Sequence, residues 1–194
     1  IEARNEQDIH TALEALKDLY LGEKKYTEFA EFLKSLSQKK NTLEPFVNYY
    51  IGLSRYYQLK HLEEIQDWNE YFNNGPAYRE ELVIALQKTI DSTKSTEPLN
   101  IYSRLALWQF HRAQQDASWE PALPDLIKAA LDYSKDAQDP KPIKDIADTL
   151  FEYGEKAKSK ELYKLYVNKI ATAKINDNKL KELNNFLCAS AYIG

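Results

Sequence analysis

Methionine is missing altogether, and 194 residues hold one cysteine, five glycines and seven prolines. A lone thiol, Cys188, closes no internal disulfide and cannot furnish a cysteine-based zinc site. Five glycines leave little room for loops that cradle phosphate, and no Walker loop, dinucleotide fingerprint or Gly-x-Ser-x-Gly elbow occurs. No apolar run approaches the ~18 residues needed to cross a bilayer, so direct membrane insertion is not expected. The net charge of -4 and a pI near 5.5 argue against a chain that coats nucleic acid phosphates. A start at Ile1 without methionine reads as a processed form or a piece of something longer. No charged stretch followed by an apolar one precedes Glu2, which leaves any targeting signal outside this sequence, and the residues assign no compartment.

What is present is enough to build a core, with 43% hydrophobic and 29% charged residues. Helical periodicity runs from end to end. Ile9, Leu13, Leu16, Leu19 and Tyr20 recur at spacings of three and four, which puts them on one stripe of a helix. After Gly22, Lys24 and Lys25 a second stripe follows, on Tyr26, Phe29, Ala30, Phe32, Leu33 and Leu36. Pro45 opens a third helix, and a fourth is expected from His61 through Phe72, before the breaker Asn73-Asn74-Gly75-Pro76. Further helices are expected at about 77–92, 98–115, 124–135, 142–154, 156–172 and 177–191, with a loop from Ala117 to Pro124. No alternating β-branched run or hairpin signal appears. The expected class is all-α, in a single domain of about ten helices.

Internal repeats organise these helices. Leu16, Tyr20, Tyr26, Phe29, Leu33 and Leu36 match Gly52, Tyr56, Leu62, Ile65, Asn69 and Phe72 thirty-six residues on. A third copy is Ala147, Leu150, Gly154, Ser159, Tyr163 and Tyr166. The clearest repeats cover about 10–40, 46–74 and 141–170, and 77–139 is irregular.

On the segments LYLGEKKYTEFAEFL, IGLSRYYQLKHLEEIQDW and IADTLFEYGEKAKSKELYKLY, the chain resembles the tetratricopeptide repeat family. Gly52 matches the small residue within that family's first helix, Tyr20 and Tyr56 its aromatic, Gly154 its turn, and Ser159 its small residue early in the second helix. Phe29 and Ile65 stand where alanine is usual. The resemblance implies a right-handed α-solenoid of antiparallel hairpins with a concave groove lined by first helices. It places Thr11, Glu14, Asp18 and Leu21 in that groove, then Val47, Tyr50, Ser54 and Tyr57, and finally Lys141, Lys144, Asp148 and Phe151. It also reads Leu183 to Gly194 as the first helix of a further repeat, truncated in this sequence. Lys141 and Lys144 resemble the lysines that grip a peptide carboxylate in some members, but Asp148 stands where that clamp needs an amide.

The function expected from this reading is a scaffold or adaptor that binds a peptide or partner subunit. The alternative is a helical dimerisation or sensing module of a larger enzyme or regulator, with self-association. Fourteen tyrosines, four of them at 49, 50, 56 and 57, read either as inter-helix packing or as contact anchors at the solvent border. The eight lysines between 156 and 181 read as a solvated face. His10 with Glu14 and His61 with Glu64 are lone pairs, read as surface ion pairs or nothing, and no metal or cofactor is expected. With Cys188 read as inert core, neither is an enzymatic activity.

Overall fold

Proline marks where four of the helices begin. Pro45, Pro76, Pro98 and Pro142 all fall in the first turn of a helix, where the amide they lack would have had no partner. The computed structural model describes residues 6–37, 43–115, 118–136 and 139–172. Among them are nine α-helices and no strand: α1 (Glu6–Gly22), α2 (Tyr26–Ser37), α3 (Glu44–Glu64), α4 (Trp68–Asn73), α5 (Gly75–Ser92), α6 (Pro98–Gln114), α7 (Trp119–Asp136), α8 (Lys141–Glu152) and α9 (Lys156–Thr172). The all-α expectation is met. The tenth helix expected at 177–191, the truncated repeat from Leu183 and Cys188 lie outside the described residues.

Two boundaries differ from the sequence reading. The break expected before His61 does not exist, because α3 continues to Glu64 and takes His61 and Leu62 into its last turn. The loop expected from Ala117 to Pro124 is helical from Trp119, with Pro124 inside α7. A proline in the second turn forfeits one backbone hydrogen bond, and a helix whose later turns are well buried tolerates that loss.

Three corners between helices share one backbone design. Each turns on a residue at positive φ: Lys24 at 59°, Gln66 at 58° and Gly154 at 85°. The amide of that residue donates to a carbonyl three residues back, on Leu21, Glu63 and Phe151, at 3.0, 3.2 and 3.1 Å. The next amide reaches five back, to Tyr20, Leu62 and Leu150, at 2.9, 2.9 and 2.8 Å. This double closure is a Schellman cap, and glycine alone adopts it without a β-carbon penalty of about 1 kcal/mol. The following helix starts one residue later, and in α4 the Asp67 carboxylate caps it by accepting from the Glu70 amide.

The shared corners also set the register of the hairpins. They make Tyr20 equivalent to Leu62 and Phe29 to Tyr71, so the thirty-six-residue match of Tyr20 with Tyr56 is out of step. Between the first and last hairpins, Tyr20 and Leu150 share one corner position and Phe29 and Ser159 another. Aromatic size misled the second match, because α3 is longer than α1.

Packing follows chain order. Among the described helices, α1 touches only α2 and α3, and α9 touches only α7 and α8. One core gathers Leu13, Phe29, Leu33, Tyr50, Leu82 and Leu86 from α1 to α5. The other gathers Leu126, Ala130, Ile143, Ile146, Leu150 and Leu162 from α7 to α9. Helix α6 belongs to both, with Leu99, Ala106 and Phe110 in the first and Ile101, Leu105 and Trp108 in the second. Helix α3 is covered by α1, α2, α4, α5 and α6, so its buried residues go round the axis instead of forming one stripe. At Gly52 it approaches α5 so closely that a β-carbon would lie 2.6 Å from Leu86 Cγ.

Candidate partner-binding surface

Tyrosine hydroxyls link the helices through carboxylates. Tyr50 of α3 donates to Glu14 of α1 at 2.8 Å, Tyr71 of α4 to Glu63 of α3 at 2.6 Å, and Tyr78 of α5 to Glu70 of α4 at 2.7 Å. Tyr102 of α6 donates to Asp145 of α8 at 2.7 Å, and Tyr163 of α9 donates to Asp148 of α8. A phenol suits this task because its ring joins the apolar seam while its hydroxyl reaches a polar partner. Burial, reinforced by these carboxylates, holds the Tyr50, Tyr102 and Tyr163 phenols well above their ordinary range.

Helices α1, α3, α6 and α8 bring several such groups together. Tyr49 is buried, with its phenol raised by burial and then by the fields of Glu14, Tyr57 and Asp145. The Tyr56 phenol is raised by burial first and then by the neighbouring Tyr153, which follows α8. Half-buried His10 lies with its Nδ1 2.8 Å from the Tyr50 hydroxyl. Since that hydroxyl gives its one proton to the Glu14 carboxylate, His10 Nδ1 must be the donor. Burial lowers the His10 pKa, against the pull of Glu14 and with the help of Lys17 and Lys141. His10 is therefore no surface partner of Glu14, and His61 lies against the Tyr26 ring at 5.7 Å.

The residues expected to line a groove have divergent fates. Val47, at 1% exposure, and Tyr50, at 0%, are core, and so is Ser54, whose hydroxyl donates to the Tyr26 carbonyl at 2.7 Å. None of the three is open to a partner, because α3 is surrounded by five helices and its presumed groove stripe faces α1 and α2. Val47 borders a cleft of about 370 Å³ between α2, α3 and α5. Glu14 is half-buried and engaged by Tyr50 and by Lys17 at 2.5 Å, and Asp18 is exposed, 3.4 Å from Lys17. Tyr57, 40% exposed, stands edge-on to Tyr56, and Phe151, 54% exposed, lies under Lys156. Lys141 pairs with Asp145 at 3.4 Å and Lys144 with Asp148 at 2.5 Å, each lysine matched to a carboxylate one turn on. Thr11 is exposed, and Leu21 and Asp148 are half-buried.

Whereas Tyr49 was noted from the sequence as one of four crowded tyrosines, Tyr102, Asp145 and Tyr153 were not singled out there. Nothing local marks them, because the helices they join are far apart in the chain. Arg55 was missed for the same reason. Its buried guanidinium donates to Glu81 at 2.5 Å and Gln58 at 2.7 Å, tying α3 to α5.

Among the described residues, no group of three or more His, Cys, Asp or Glu side chains is placed to hold a metal ion, and no helix is long and apolar enough to cross a membrane. No protein-family model, curated protein or solved structure matches the chain.

Proposed function

We propose that this chain is a protein-interaction module, a right-handed α-solenoid of tetratricopeptide-like hairpins that holds a peptide or a segment of a partner subunit along its first helices. The observation that carries the reading is the packing among the described helices, in which two cores share α6 and the terminal helices α1 and α9 touch near neighbours in the chain. Hairpins stacked in this way expose a long lateral surface, and a partner laid along it contacts several of them at once. The half-buried tyrosines between α1, α3, α6 and α8 support the same reading, since rigid aromatic groups with polar tips make strong contacts at little entropic cost. Of the predicted groove residues, Thr11, Asp18, Tyr57, Lys141 and Phe151 keep substantial exposure, and Tyr57 and Lys141 are taken as probes of the groove. We assign the module no catalytic role and no cofactor.

The test is to select peptide ligands for the immobilised chain from a random library and measure their affinity by fluorescence polarisation. Tyr57→Ala and Lys141→Ala should each weaken binding by about fivefold, near 1 kcal/mol, without moving the melting temperature. Unchanged affinity in both variants removes the first-helix surface from the reading.

A further inference from the structure

The α3–α4 corner is unlike the other two. Ile65, Trp68 and Phe72 are 53%, 46% and 70% exposed, and the Trp68 and Phe72 ring centroids lie 6.3 Å apart. At the α8–α9 corner, the positions of Trp68 and Phe72 are held by Lys156 and Lys160, as expected of a face turned to solvent. At the α1–α2 corner they are Tyr26 and Ala30, half-buried and buried because α3 lies over them. Of the described helices that follow, α5 alone touches α4, and Ile65, Trp68 and Phe72 stay exposed beside it. Helix α4 spans six residues before Asn74 and Pro76 interrupt the helix, and the chain resumes as α5 packed along α3. Among the described helices, α4 therefore touches only α3 and α5.

The same corner is strongly acidic. Residues 62–74 carry Glu63, Glu64, Asp67 and Glu70 and no lysine or arginine. Glu63 accepts from the Tyr71 hydroxyl and Glu70 from the Tyr78 hydroxyl. Cations near it are Lys60, 4.0 Å from Glu64, Arg79, stacked 4.4 Å from the Tyr71 ring centre, and Arg55, 4.9 Å from the Tyr78 ring centre but paired with Glu81, so the four carboxylates keep an acidic excess.

We propose that this corner is a second docking surface, independent of the first-helix face, for a cationic amphipathic segment of a partner protein. Its apolar side chains would seat on Ile65, Trp68 and Phe72, and its flanking lysines or arginines would meet the four carboxylates. Charge complementarity selects this occupant. An anionic bilayer would be repelled by the carboxylates that favour a basic helix.

The experiment uses the whole chain and two synthetic amphipathic helices with the same leucine stripe, one flanked by lysine and the other by glutamate. Fluorescence anisotropy of the labelled peptides should show the lysine peptide binding at least about tenfold tighter at low salt, with that advantage shrinking in high salt. Phe72→Ser, Trp68→Ser and the pair Glu63→Gln/Glu64→Gln should each weaken it by about fivefold or more. Tyr57→Ala should leave it unchanged, which separates this surface from the first-helix face. Since Phe72 is largely exposed, its variant should keep the parent melting temperature, and the glutamine pair tests the same surface without touching an apolar side chain. Equal affinity for the two peptides overturns the proposal, and so does indifference to Phe72→Ser. Sedimentation showing that a second copy already covers the corner, with dissociation on Phe72→Ser, overturns it as well.

Discussion

Tyr50 illustrates how a residue's neighbours assign its role. From its place in the chain it was a groove anchor. In the fold its ring is fully enclosed and its hydroxyl closes a contact with His10 and Glu14, so Tyr50→Ala would report on folding and not on binding. The buried phenols also have a titration signature. Burial, then neighbouring carboxylate charge or hydrogen bonds, raises the Tyr49, Tyr50, Tyr102 and Tyr163 pKa values, and burial followed by the field of Asp139 raises Tyr133 to about 12. Phenols of the unfolded chain ionise near pH ~10. Above that pH the unfolded state holds fewer protons than the folded one, so stability is full below pH ~10 and falls as pH rises towards the folded values. Tyrosinate absorbance followed alongside circular dichroism should show a fraction of the phenols ionising only as the helices melt. Complete ionisation in the folded chain would contradict the burial of these rings.

At the scale of elements, the approach of α3 to α5 depends on one missing β-carbon. Gly52→Ala gains about 1 kcal/mol of helix propensity and loses about 1–3 kcal/mol to overpacking against Leu86, since Cγ as well as Cδ2 lies 2.6 Å away. The expected result is net destabilisation of about 1 kcal/mol in urea unfolding. Leu86→Ala alone should cost about 2–5 kcal/mol, and the double variant should cost less than the sum, because each change relieves the other. Strict additivity would mean that the two helices can slide apart. The chain's Gly52, read as a small residue within a first helix, thus occupies a site of close contact, although the repeat register that suggested it was misaligned. The corners explain that misalignment. Lys24 and Gln66 adopt a left-handed conformation that glycine would have advertised, so only Gly154 was visible as a turn.

For the molecule as a whole, two cores sharing α6 imply uneven cooperativity. Leu126 is fully buried in the second core and remote from α1 and α2. Leu126→Ala should therefore lower amide protection in α7, α8 and α9 by about 2–4 kcal/mol while leaving α1 and α2 much less affected. Native-state hydrogen exchange distinguishes this from a single cooperative unit, in which the loss would be uniform across the helices.

Helical class, the punctuation by Pro45, Pro76, Pro98 and Pro142, and most helix positions were determined by the sequence alone, because apolar period, missing amides and capping act within a few residues. The tertiary structure decided which face of each helix is free. Helix α3 carries aromatic residues all round, and only the arrangement of five neighbours decides that Val47, Tyr50 and Ser54 are enclosed while Tyr57 is open. The same holds for Ile65, Trp68 and Phe72, which have the composition of a core and stay exposed because the chain turns away at Pro76 before anything covers them. Burial is a property of what lies opposite a side chain, and residues distant in the chain supply it.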